Sequence, residues 1–239
     1  MTELSSEWRL HFFPSISSTN DEAKKYTDEG HIVWAKKQTN GRGRLGHSWE
    51  SLAGNLFCSW VIRSEGIKST GALSFITALS LGDTFSTLFP TLYYSYKWPN
   101  DVLVNGAKIS GILLEQEEKP QRTIIGMGVN LKSSPEEPLK YPATSLAKEG
   151  INIEAKEFIP AYFRHFSNNL KELRTNGFSE LKERWLLKAE KINQSIEVRL
   201  AKRTLIGVFK GLDENGCLIL LPEESEKDIK ISAGEVFYR

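Results

Sequence analysis

Cysteine is nearly missing from this 239-residue chain, which holds only Cys58 and Cys217. The two lie far apart without metal-ligand spacing, so there is no disulfide framework and no cysteine-built zinc site, and a reducing compartment fits. Also missing is any apolar run near the ~20 residues needed to cross a bilayer. The N-terminus, Met1 to Trp8, carries Glu3 and Glu7 where a signal peptide would be apolar. A cytoplasmic protein with no membrane partner is the expectation. Charge of one sign is not in surplus either: 31 Lys and Arg face 30 Asp and Glu, for a net charge of +1. The basic footprint of a general nucleic-acid binder is therefore lacking. No internal repeat or low-complexity tract is visible, and the length allows a main domain plus a small one.

What the chain does have is a concentrated loop, Gln38-Thr39-Asn40-Gly41-Arg42-Gly43-Arg44-Leu45-Gly46-His47-Ser48-Trp49. Glycines let backbone amides turn toward a ligand and arginines add charge there, so the segment suits an anion that must be wrapped closely. It is not a P-loop, which would end in Gly-Lys-Ser/Thr, and no helix opens after it as a dinucleotide fold would require. Three glycines also give it the freedom to act as a lid, mobile without ligand and ordered by it.

Around this loop the chain alternates strands and helices. Leu10 to Phe13 reads as a strand. Ser17-Ser18-Thr19-Asn20 supplies caps for a helix over Asp21 to Glu29, closed by Gly30. Ile32 to Lys36 and Asn55 to Arg63 read as strands entering and leaving the loop. Leu73, Ile76, Leu79, Leu81, Phe85 and Leu88 predict a helix over Thr70 to Phe89, ended by Pro90. Strands follow at Tyr93 to Trp98, Asp101 to Val104 and Lys108 to Glu115, the last two joined by an Asn105-Gly106 type I′ turn. Gln121 to Asn130 is another strand, Lys132 to Pro142 a surface loop, and Glu154 to Arg174 and Phe178 to Lys188 are helices. From Ser195 the pattern becomes five short strands with Asn215-Gly216 and Pro222 turns, predicting a small β-barrel. The fold class is α+β, a mixed sheet with packed helices, divided as 1–190 and 191–239.

A second block, Tyr96-Lys97-Trp98-Pro99-Asn100-Asp101, sets a lysine at a strand end beside a bulky aromatic and a stiff proline. Lys108, Ser110 and Gly111 follow across the tight hairpin and should lie near it. Each feature has an ordinary alternative: a helix cap for Ser17 to Asn20, core aromatics for Trp49 and Trp98, a hairpin decoration for Lys108.

Taken together, Gly41 to Trp49, Lys97 to Asp101 and Lys108-Ile109-Ser110-Gly111-Ile112-Leu113-Leu114-Glu115 resemble the signature blocks of biotin protein ligases. Ser18-Thr19-Asn20 resembles a fourth block. Gly126-Met127-Gly128-Val129-Asn130 resembles the family's glycine-containing strand end, and the tail from about Asn193 its SH3-like C-terminal domain. The blocks keep the family's order over nearly the whole chain. His47 stands where many members have arginine. The chain begins almost directly at the catalytic domain, a short form with no room for the helix-turn-helix that some members use as a repressor, so DNA binding is not implied.

The resemblance implies a class II synthetase-like core and an ATP-dependent ligase. Biotin's carboxylate attacks the α-phosphate of ATP, giving biotinyl-5′-AMP and pyrophosphate, and a lysine of a biotin carboxyl carrier domain then displaces AMP. Arg42, Arg44 and Lys97 would neutralise the reacting anions. Ser18, Thr19 and Gln38 would hydrogen-bond the ureido ring, the backbone from Arg42 to Arg44 would close the pocket, and Trp49 would form an apolar wall. Asn20, Gly41, Gly43, Lys108, Gly111, Gly128 and Asn130 complete the expected biotin and ATP site. Asp101 and Asn130 offer oxygens toward the Mg²⁺ of ATP, but a hard cation needs several and the sequence does not show which converge. No metal ligand is assigned. Two alternatives stay open: a lipoate or octanoate ligase on a related core, and a noncatalytic biotin-binding module.

Overall fold

A computed structural model describes residues 3–118, 121–136 and 141–238. The strands are β1 (Arg9–Phe13), β2 (His31–Ala35), β3 (Leu56–Arg63), β4 (Tyr94–Lys97), β5 (Asp101–Val104), β6 (Ala107–Glu118) and β7 (Gln121–Val129), then β8 (Ser195–Arg199), β9 (Thr204–Leu212), β10 (Leu218–Pro222), β11 (Ile229–Ile231) and β12 (Glu235–Tyr238). The helices are α1 (Thr19–Ala23), α2 (Ala72–Leu88), α3 (Ala155–Asn176) and α4 (Ser179–Leu186). The first seven strands form one sheet in the order β1-β2-β3-β7-β6-β5-β4. Only β1 and β2 run parallel and the other pairs are antiparallel, so the sheet is mixed as expected.

Side chains alternate across this sheet with the strand period of two. On one face Cys58, Trp60 and Ile62 of β3 and Ile125, Met127 and Val129 of β7 join the main core under α2 and α3. Trp60 is wholly buried, with its ring set edge-on against Tyr162, Phe163 and Phe166 of α3. Helix α2 is buried almost all round as far as Phe85, so the hydroxyls on that stretch cannot reach water. Thr77, Ser80 and Thr84 donate instead to the carbonyls of Leu73, Ile76 and Ser80 one turn back, each at 2.6 Å. The opposite face holds α1 over a small cluster of Ala23, Val33, Val61 and Ile124. The functional site lies beyond it.

Two expectations need correction. The first helix does not run from Asp21 to Glu29: it spans Thr19–Ala23 and then tightens into turns, with Lys25 N–H on Glu22 and Tyr26 N–H on Ala23. Arg122 of β7 takes the carbonyls of Lys24 and Tyr26, which a longer helix would have used itself. Its guanidinium ends the helix where the sequence offers only a distant glycine. Nor does Ser18 cap this helix with its side chain. The C-terminal strands form the five-stranded antiparallel sheet expected of the tail, ordered β11-β10-β9-β8-β12, with no ladder joining β11 to β12 among the described residues. The Asn105-Gly106 turn has both residues at positive φ, 49° and 78°, as its type requires. Of the expected surface loop from Lys132 to Pro142, residues 137–140 lie outside the described residues.

Candidate functional site

Between α1, the glycine-arginine loop, the β4–β5 turn and the edge of the C-terminal sheet lies a cavity of about 430 Å³. Its lining includes every sequence-predicted site residue except Gly41. Gly41 braces the loop from behind: its carbonyl accepts the Trp49 N–H at 2.9 Å, and a Cβ there would meet the Trp49 carbonyl at 2.7 Å. Together with the Gly43 N–H to His47 carbonyl bond of 2.7 Å, this folds the loop into a small hairpin. Leu45 stands at its tip, exposed, with φ of 54°.

The floor is made by glycine. Gly111 of β6 and Gly128 of β7 sit opposite each other in register, and the Trp49 indole lies across them. A Cβ at Gly128 would meet Trp49 Nε1 at 2.6 Å, and one at Gly111 would meet Trp49 Cζ3 at 2.8 Å. The indole N–H is buried and finds no acceptor among the described residues. Two residues along β7, on the same face, a Cβ at Gly126 would run into the Asn20 amide.

Thr19 and Gln38 form one end. The Thr19 N–H and hydroxyl both donate to Gln38 Oε1, at 2.8 and 2.9 Å. Ser59 of β3 shares its hydroxyl between Thr19 Oγ1 at 2.7 Å and Asn20 Oδ1 at 2.5 Å. Asn20 in turn donates to Glu115 of β6 at 3.0 Å. Thr19, Asn20 and Ser59 are buried and Gln38 and Glu115 half-buried, and their mutual bonds fix their orientation.

Cations gather at the other end. Lys97, 4% exposed, has its ammonium 3.2 Å from the centre of the Tyr141 ring and 5.2 Å from that of Tyr238 on β12. Lys108 pairs with Asp101 at 2.6 Å and lies 5.5 Å from the Trp49 ring. Arg44 donates to Asn100 at 3.1 Å, and no carboxylate pairs with it among the described residues. Burial pulls its guanidinium below the ordinary arginine value, against the opposing charges of Asp101 and Glu235. A desolvated guanidinium of this kind gains from meeting an anion.

Arg42 behaves differently from its expected role beside the reacting anions. Its Nε donates to Glu115 Oε1 at 2.9 Å, Nη2 to Glu115 Oε2 at 2.9 Å and Asp21 Oδ1 at 2.7 Å, and Nη1 to Asp21 Oδ2 at 2.9 Å and Ser18 Oγ at 3.1 Å. Those bonds use all the N–H groups a guanidinium owns. Its hydrogen bonds to Asp21 first, then to Glu115, hold Arg42 above its ordinary value against the cost of burial. Asn130 is likewise committed, donating to the Thr144 carbonyl at 3.0 Å. Among the described residues no cluster of His, Cys, Asp or Glu has the makings of a metal centre.

Several participants were not assigned from sequence. Glu115 was quoted only within its motif, although a carboxylate in the apolar run Ile112 to Leu114 is a signal that it meets a cation. Ser59, a lone hydroxyl in an apolar strand, is similar. Asn100 sits within the Lys97 block, while Tyr141 and the stretch from Gly234 into β12 at Val236, which complete the wall, come from segments too distant to be linked by pattern. His47 reaches the same strand, 3.2 Å from Glu235.

Comparison with known proteins agrees with this geometry. Residues 12–130 match the biotin/lipoate A/B protein ligase family, and residues 191–239 match the biotin protein ligase C-terminal domain. A biotin–[acetyl-CoA-carboxylase] ligase of Paracoccus denitrificans is 36% identical over 234 residues, covering 92% of this chain and 97% of that protein. The bifunctional ligase/repressor BirA of Bacillus subtilis is 32% identical over 92% of this chain and 71% of its own length. Among solved structures, the biotin protein ligase from Aquifex aeolicus in complex with biotin and ATP superposes with a TM-score of 0.87 at 28% identity, covering 96% of this chain and 99% of that one. The chain belongs to the biotin/lipoate A/B protein ligase family, on its biotin protein ligase branch.

Proposed function

We propose that the cavity holds biotin over the Gly111 and Gly128 floor with ATP beside it, and that it joins the two. A carboxylate oxygen of biotin attacks the α-phosphorus of ATP, the bond to the bridging oxygen breaks, and pyrophosphate leaves with its Mg²⁺. The amine of an acceptor lysine then attacks the acyl carbon, AMP departs and the amine's proton is lost. Both reactants of the first step are anions, so fixed cations must offset their repulsion, and Arg44, Lys97 and Lys108 surround the space where they would meet. Thr19 and Gln38 face the ureido ring, with Ser18 and Asn20 behind them. The backbone from Gly41 to Arg44 closes over it, while Trp49 and Gly128 flank its apolar chain. The observation that carries this reading is the convergence of four distant sequence blocks on one cavity with a glycine floor and a cationic end.

The Paracoccus relative's name points to acetyl-CoA carboxylase as the source of the acceptor, and we take the acceptor to be its biotin carboxyl carrier domain. No nucleic acid takes part. We further take residues 1–190 as the ligand-binding and chemical unit and 191–239 as a separate C-terminal one, in a cytoplasmic enzyme. No described helix is long and apolar enough to cross a membrane. The test is to incubate the protein with ATP, Mg²⁺ and either biotin or lipoate and to look for the acyl-adenylate by mass spectrometry. Biotinyl-adenylate with stoichiometric pyrophosphate is expected. Lipoyl-adenylate alone would assign the protein to the lipoate branch, and biotin binding without pyrophosphate would make it a noncatalytic module.

A further inference from the structure

The two loop arginines have different surroundings, and the difference assigns them different work. Every N–H of the Arg42 guanidinium is spent on protein oxygens, in one fork to Glu115, one to Asp21 and a single bond to Ser18. Nothing is left to donate to a substrate phosphate or carboxylate. The charges also cancel locally, because Lys24 adds a contact of 3.1 Å to Glu115 and lies 3.7 Å from Asp21, so two cations face two carboxylates. Such a cluster contributes little field at the cationic end of the cavity.

Arg42 and its partners come from three elements. Arg42 rides on the loop, Ser18 and Asp21 belong to the start of α1, and Glu115 projects from β6. Glu115 also accepts from Asn20, whose neighbour Thr19 holds Gln38. Burial works against ionised Glu115, but the bonds from Asn20, Arg42 and Lys24 outweigh it and keep its carboxyl below the ordinary range. At its far end, α1 is held by Arg122 through the carbonyls of Lys24 and Tyr26.

We propose that Asp21 and Glu115 are positioning residues that latch the Gly41–Gly46 loop down through Arg42, so that loop and α1 close as one piece over the ligand. Arg42 acts as the bolt of that latch and Arg44 is left to meet the reacting anions. The inference rests on the biotin and ATP reading of the cavity for what the closed loop covers, while the fastening itself is read from the bonds that Arg42 makes to Asp21 and Glu115.

The experiment compares wild type with Glu115→Gln, Asp21→Asn and Arg42→Gln. Trypsin cleavage after Arg44 is followed without ligands, and biotin KM and kcat are measured separately. Each substitution is expected to speed that cleavage roughly tenfold and to raise the biotin KM by a similar factor, leaving kcat at saturating biotin within about threefold, since charge-assisted bonds are lost from the loop and none from the reaction. Asp21→Asn keeps the shape of a half-exposed side chain, so it reports on the latch even where Glu115→Gln impairs folding. Cleavage at the wild-type rate in Asp21→Asn and Arg42→Gln would overturn the latch. A hundredfold loss of kcat in Arg42→Gln with unchanged cleavage would also overturn it, by making Arg42 a reaction cation. If wild type forms no biotinyl-adenylate the functional reading fails, while the ligand-free cleavage still decides the latch.

Discussion

The two faces of the seven-stranded sheet are built from the same strands and do opposite things. Toward α2 and α3, β3 and β7 offer Cys58, Trp60, Ile62, Ile125, Met127 and Val129, all buried in one apolar core. One residue out of phase, the same strands with β6 offer Gly126, Gly128 and Gly111 to the cavity, and Ser59 and Glu115 to Asn20 and Arg42 of its lining. A helix-side residue fills space, and a cavity-side residue either leaves space or fixes a polar partner. Stability and ligand recognition are thus separated by the alternation of the strand, not by distance along the chain.

That separation can be broken most severely from the helix side. Trp60→Ala should lower the unfolding free energy by about 3–5 kcal/mol, the usual cost of emptying an aromatic core site, read as a fall in the urea midpoint. Midpoints within error of wild type would mean that this face is not the main core. On the cavity side the expected signature is reversed. Lys97→Ala or Arg44→Gln should reduce the rate of adenylate formation by about 10²–10³, the range for one electrostatic stabiliser, with little change in the urea midpoint. Pyrophosphate exchange at the wild-type rate would remove both from the reacting end.

The smallest effect tests the far edge of the cavity-side face, where His31 donates or accepts a 3.0 Å bond with His11 beneath the Tyr26 ring. Burial, then the neighbouring His11 and Arg9, hold the His31 imidazole below its ordinary value against Asp28. The folded protein therefore takes up this proton less readily than the unfolded chain. The contribution is complete above the ordinary histidine value, and stability falls as the pH drops below it. His31→Gln should flatten the pH dependence of the urea midpoint between about pH 7 and about 5 without altering adenylate formation. An unchanged slope would show that this imidazole does not contribute to it.

Much of this was legible in the sequence because it is local. Glycine spacing, the Lys97 block and the Asn105-Gly106 turn each carry their meaning within a few residues. Strand and helix limits from Leu56 to Leu186 fall within about three residues of expectation for the same reason. What failed was non-local. Arg122 shortens α1 from a distance of nearly a hundred residues in the chain, and no feature of Asp21 to Glu29 announces it. The two loop arginines look equivalent in the sequence, yet one is surrounded by carboxylates from α1 and β6 and the other is not.

The Trp98 indole N–H donates to the Gly216 carbonyl at 3.0 Å, the Tyr141 hydroxyl donates to the Val236 carbonyl at 2.8 Å, and both side chains flank the cationic end of the cavity. Grafting a foreign tail onto this core would therefore retune the cationic end of the cavity, through these carbonyls together with the Tyr238 ring and the Glu235 carboxylate. The end built from Thr19 and Gln38, fastened to an interior strand through Ser59, would be inherited unaltered.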